Sequence, residues 1–136
     1  MSNWLGVVNR DHVLRGVSLG IAQIGHGRRP GLDRMRPGDW LVYYSPRPSM
    51  DSAAHLRAFT AVGTVTDDEV WQADEDGFSP WRRRVDYVAG TVEVPVADLA
   101  GTLDLTAGPR WGAPLRRGLV PLSDGYLAVI RRAMGA

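Results

Sequence analysis

The chain has 136 residues, 44% hydrophobic and 23% charged, which suits one domain with a core that needs no staples. Cysteine is absent, which excludes disulfides, thiolate metal sites and a cysteine nucleophile. A net charge of +1 excludes a global field that draws the protein to nucleic acid, but every basic residue is arginine and the arginines cluster, at Arg28, Arg29, Arg34 and Arg36 and again at Arg82, Arg83 and Arg84.

Trp4 to Val8 is a short apolar run that reads as a buried strand. Asn9 or Asp11 can cap the helix that follows, whose apolar positions Val13, Leu14 and Val17 have helical spacing and which Gly16 and Gly20 keep short. Next comes a loop, Gln23 to Arg29, with two glycines around His26. Pro30 opens a brief helical turn with Leu32 and Met35 facing inward, and Pro37-Gly38-Asp39 turns the chain into a second strand. In that strand Trp40, Val42 and Tyr44 share one face and Leu41 and Tyr43 the other, so both faces are apolar and the strand is central.

Ser45 to Ala54, with its prolines and serines, reads as a surface loop, and Phe59 to Thr66, rich in β-branched residues, as a third strand. An acidic loop holding Asp67, Asp68, Glu69, Trp71 and Phe78 is expected to lead to Pro80-Trp81. From Arg82 to Val96 a long strand or bent pair is expected, with Trp81, Arg83, Val85 and Tyr87 on one face and Arg82, Arg84 and Asp86 on the other. A helical turn from Val96 to Leu99, ended by Gly101, precedes an irregular stretch with short strands near Trp111 and Leu119. Ser123 caps a final helix whose apolar face carries Leu127, Ile130 and Met134. The whole chain, 1–136, reads as a single α+β domain.

No catalytic constellation emerges. His12, His26 and His55 stand at no zinc spacing, there is no G-x-S-x-G elbow, and Gly25-His26-Gly27 lacks the lysine of a phosphate loop. No run approaches the roughly 18 apolar residues of a membrane span. Met1 to Val8 has no basic leader, so a cytoplasmic monomer with no membrane segment is expected.

Trp4-Leu5-Gly6-Val7-Val8-Asn9-Arg10, the glycine-rich basic loop, and Leu32-Asp33-Arg34-Met35-Arg36-Pro37-Gly38-Asp39-Trp40-Leu41-Val42-Tyr43-Tyr44 together resemble an EVE domain of the small stand-alone prokaryotic type. Pro80-Trp81-Arg82-Arg83-Arg84-Val85 and Ser123-Asp124-Gly125-Tyr126 fit the same pattern. The resemblance implies a PUA-like fold: a twisted, mostly antiparallel β-barrel with peripheral helices, related to the YTH domains that cage a methylated adenine. It implies a non-catalytic module without cofactor or metal, whose partner is RNA or DNA carrying a modified, methylated base.

The positions that line such pockets are Val8, Asn9, Arg10 and Asp11 after the first strand, Gln23, Ile24, Gly25 and His26 in the loop, and Tyr44 and Ser45 at the second strand's end. Where YTH domains place a cage tryptophan, this chain has Gln23 and Ile24. Trp81 is the expected stacking surface, its alternative being a core indole. Arg83 either lines the pocket beside it or is turned outward by a bulge. Arg28 and Arg29, then Arg82 and Arg84, are the expected contacts to backbone phosphates. The rival readings are an ASCH-like ribonuclease, whose lysine-containing signature is missing here, and a small-molecule-sensing PUA-like domain.

Overall fold

The computed structural model describes residues 1–99 and 118–136. In chain order these are β1 (Asn3–Val7), α1 (Arg10–Leu19), β2 (Ile21–Ala22), α2 (Pro30–Arg34), β3 (Trp40–Ser45), β4 (Ala58–Gln72), β5 (Trp81–Tyr87), β6 (Val94–Pro95), a 3-10 turn (Val96–Leu99), β7 (Leu119–Pro121) and α3 (Asp124–Met134). The expected Gly101 stop and the strand near Trp111 lie outside the described residues.

The seven strands form one mixed sheet in the order β2-β5-β4-β3-β1-β7, with β6 paired to β4. Only β1 and β3 run parallel, Leu5 opposite Val42, because α1 and α2 carry the chain from one to the other; the remaining pairings among the described residues are antiparallel. The expected barrel is corrected to an open sheet, since β2 and β7 stand at opposite ends of the strand order and do not pair. No helix among the described residues is long and apolar enough to cross a membrane.

Alternation in β3 decides how the layers stack. Val42 and Tyr44 point toward α3 and pack with Leu5, Phe59, Val62, Leu127, Ile130 and Met134. Leu41 and Tyr43 point the other way and pack with Trp4, Val13, Ile24, Leu32, Met35 and Val85 beneath α1 and α2. Ser123 caps α3 as expected, its hydroxyl accepting from the Tyr126 amide at 3.2 Å. In front of β3, Asp39 is buried and accepts from the Trp4 indole and the Ser2 and Arg36 amides, each at 2.9 Å. Burial alone would raise its pKa, but these three donors and the N-terminal charge together hold the carboxyl below its usual 3.8.

Two expectations change. Asp67, Asp68 and Glu69 are not a loop: β4 continues through them to Gln72 with a bulge between Val65 and Val70. The tip after β4 is a tight hairpin, with Glu75 and Phe78 exchanging amide–carbonyl bonds across Asp76 (φ 51°) and Gly77 (φ 89°).

Candidate functional site

On the α1/α2 side of the sheet lies an open cleft of about 910 Å³. Its sides are the inner face of α1, the Gln23–Arg28 loop and the β4–β5 hairpin, and Tyr43 of β3 lies at its base. Of the residues singled out from the sequence, it gathers Val8, Asn9, Gln23, Ile24, Gly25, His26, Arg28 and Arg82.

Asn9 occupies the N-cap position of α1, but its side chain makes no cap bond. The Arg10 and Asp11 amides are satisfied instead by the carbonyls of Arg47 and Pro48, at 3.1 and 3.0 Å, so the 46–48 loop caps the helix and the Asn9 amide stays at the cleft wall. The loop opposite is held in an unusual conformation. Gly25, His26 and Gly27 have φ of 55°, 60° and 82°, three left-handed residues in succession. For histidine this costs on the order of 1 kcal/mol. The turn is fixed by Gly27 N–H to the Ile24 carbonyl at 3.0 Å and Trp81 N–H to the Gly27 carbonyl at 2.8 Å. A β-carbon on Gly27 would stand 2.7 Å from Pro80 Cβ, so only glycine lets the hairpin close on the loop. The outcome is an exposed imidazole at the rim.

Among the described residues, the aromatic side chains that line the cleft are Phe78 and, buried at its base with 2% exposure, Tyr43. The Tyr43 ring crosses β1 at Gly6, where a β-carbon would meet its edge at 3.1 Å, and stacks on Tyr87 with centroids 6.3 Å apart. Burial pushes the Tyr43 hydroxyl up to about 12, against the opposing pull of the Tyr87 hydroxyl and the Gln23 backbone, so it stays protonated at neutral pH. Phe78 is half exposed at the hairpin tip.

Several expected site residues stand elsewhere. Tyr44 points to the opposite face of β3, against Phe59, because neighbouring strand residues alternate. Ser45 is fully buried and its hydroxyl is shared with Thr60 Oγ1 at 2.8 Å. Arg10 is drawn to Glu93, at 2.6 Å. Trp81 is outside the cleft: it packs on the α1/α2-side core and its ring lies under the Arg29 guanidinium at 4.7 Å, while Arg29 is also paired with Asp33. Arg84 pairs with Asp67 and Glu69 and lies over Trp71.

Arg83 neither lines the cleft nor turns outward. It is 2% exposed and donates to the carbonyls of Leu32 (2.8 Å), Met35 and Asp67 (2.8 and 3.2 Å), tying α2 to the β4 bulge. Reading the sequence missed His12, Arg15, Tyr43, Met50 and Phe78. Two of them carried a signal: Asn9, His12 and Gly16 recur at helical spacing on one face of α1, and Asp76-Gly77 is a hairpin turn that folds Phe78 back. No group of three or more His, Asp or Glu that could hold a metal occurs among the described residues.

Known proteins resemble the chain in sequence and in fold. It is 49% identical over 135 residues to a UPF0310 protein of Renibacterium salmoninarum, covering 98% of this chain and 96% of that one. It is 45% identical over 136 residues to one of Mycolicibacterium gilvum, with coverage of 98% and 96%. Among solved structures, a Leishmania major protein has a TM-score of 0.60 at 12% identity, covering 99% and 95% of the two chains. Protein Atu2648 of Agrobacterium tumefaciens has a TM-score of 0.56 at 12% identity, with coverage of 99% and 94%. The model of the EVE domain matches residues 2–133, and with it the chain belongs to the EVE domain family, a PUA-like nucleic-acid-binding family.

Proposed function

We propose that this protein is a non-catalytic binding module that takes one modified base, unpaired in RNA or flipped out of DNA, into the cleft between α1, the Gln23–Arg28 loop and the β4–β5 hairpin. The observation that carries this reading is the left-handed Gly25-His26-Gly27 turn. A strained loop that presents an exposed imidazole at the rim of a cleft that Asn9 also lines is an arrangement for reading a polar, planar guest.

In this reading the base lies against Phe78, above the buried Tyr43 at the base of the cleft. Asn9 and His26 read its edge. Arg28, for which no ion pair is found among the described residues, meets the backbone on the way in. Stacking on one aromatic ring contributes roughly 1–3 kcal/mol, and burial of a methyl group adds on the order of 0.8 kcal/mol. Edge hydrogen bonds therefore carry most of the discrimination. A cytoplasmic monomer belongs to the same reading.

The test is a panel of modified and unmodified nucleosides and eight-nucleotide RNA and DNA strands, measured by calorimetry at low salt. At least one modified nucleoside should bind the parent, and Asn9→Ala or His26→Ala should weaken that binding tenfold or more, by about 1.4 kcal/mol each. A panel in which no modified base binds better than its unmodified counterpart would remove the base-capture reading. RNA cleaved by the parent without added metal would remove the non-catalytic part of it.

A further inference from the structure

Two of the arginines that line the cleft do not face it as free cations. Arg15, on α1, and Arg82, on β5, both donate to the same oxygen of Glu75, which sits at the start of the hairpin turn. Arg82 is only 13% exposed, and its Nε also donates to the Gln23 amide oxygen at 3.1 Å, which fixes its guanidinium. Arg15 is more exposed, at 58%. Glu75 is therefore the one carboxylate that joins the hairpin to α1 and β5 beside the cleft among the described residues. Its pKa is held below the usual 4.5, first by the hydrogen bond from Arg82 and then by the charges of Arg82 and Arg15, so it is ionised at neutral pH.

We propose that Arg15 and Arg82 form a phosphate subsite at the edge of the cleft, and that the Glu75 carboxylate is its resting occupant, displaced when a nucleic-acid phosphate enters. Two guanidinium groups converging on one anionic oxygen from separate elements are the geometry that phosphate recognition by arginine uses. The carboxylate stands where a phosphate oxygen would, beside a two-residue turn whose Asp76 and Gly77, with Phe78 after them, are all exposed. Exchange of one anion for another keeps Arg82 paired at every stage, so its charge is never left uncompensated beside the cleft. The displaced hairpin carries Phe78 with it, which couples entry of the phosphate to movement of one aromatic wall.

This proposal rests on the base-capture reading for its physiological ligand, but its test does not. The probe is inorganic phosphate, titrated at low salt while the Arg82 and Arg15 side-chain N–H resonances are followed in the parent, Glu75→Gln, Glu75→Asp and Glu75→Gln/Arg82→Gln proteins. Glu75→Gln should bind phosphate about three- to tenfold more tightly than the parent, because a neutral amide competes poorly for the two arginines. Glu75→Asp, which keeps the charge, should stay near the parent, and the double variant should lose the gain. An unchanged phosphate affinity in Glu75→Gln, or an equal gain in the double variant, would overturn the subsite. Nucleoside binding that shifts Asn9 and His26 while phosphate affinity is insensitive to Glu75 would reject the subsite and leave base capture standing. Phosphate binding that follows Glu75 in a protein that takes no nucleoside would do the reverse.

Discussion

Replacing Arg83 separates a strut from a binding residue. Its guanidinium is 2% exposed and bonds three carbonyls, those of Leu32, Met35 and Asp67; the nearest carboxylate oxygen, on Asp68, is 3.6 Å away. Arg83→Met keeps the stem and removes the donors, leaving the end of α2 and the β4 bulge with carbonyls turned toward an apolar group. A hydrogen bond to a charged group contributes roughly 1.5–3 kcal/mol, and a buried acceptor stripped of its partner costs about 1–3 kcal/mol. Loss of the buried cation's own desolvation cost offsets part of this, so a net destabilisation of about 3 kcal/mol is expected. For a domain of this size that lowers the melting temperature by roughly 10 °C. Urea and thermal unfolding at pH 7 measure it, beside nucleoside binding to the protein that remains folded. A variant within about 0.5 kcal/mol of the parent that has lost its ligand would refute the reasoning and return Arg83 to the pocket.

Asp39→Ala leaves the Trp4 indole N–H and two amides without an acceptor and should cost about 3 kcal/mol by urea unfolding. The folded pKa of Asp39 is depressed, so its contribution is present above the unfolded value of about 3.8 and is lost as pH falls through the folded one; Asp39→Asn should lose less stability than the parent on acidification through that window. His26→Gly relieves a left-handed residue and should gain on the order of 1 kcal/mol of stability while weakening nucleoside binding, a split that thermal melts and calorimetry read together. Gly63→Ala sets a β-carbon 2.5 Å from the Asp86 carbonyl oxygen and 2.9 Å from Tyr87 Cα, and should cost about 3 kcal/mol in the same unfolding assay by forcing β4 from β5. Arg28→Ala should weaken binding of single strands regardless of sequence and reduce the slope of log affinity against log salt by about 0.7.

The central strand and the closing helix were legible because both carry their own signal. β3 is apolar on both faces, and α3 has a serine cap and an apolar stripe. What stayed hidden depends on distant partners. The two residues of β2 form a strand only because Arg83 and Arg84 pair with them. Asp67 to Glu69 carry a loop's composition, yet stay in β4 because Arg83 holds the Asp67 carbonyl and Arg84 holds the acidic side chains.

The same holds at the candidate site. Asn9, Gln23 and His26 were readable from a strand end and a glycine turn, both local features. Trp81 is the stacking surface the sequence suggests, and Tyr43 goes unnoticed, because nothing in the order of residues shows that Arg29 lies over the indole or that Gly6 opens β1 for the Tyr43 ring. The Asp76-Gly77 turn was readable, but its consequence, Glu75 set between Arg15 and Arg82, needs α1 folded beside it.

The most direct test is to map, by amide and side-chain chemical shifts, where the tightest-binding modified nucleoside of the panel contacts the protein. Base capture in the cleft predicts shifts at Asn9, His26, Tyr43 and Phe78, with Tyr44 on the far side of the sheet unmoved. Shifts confined to Trp81, Arg29 and Arg84, with the cleft silent, would contradict it.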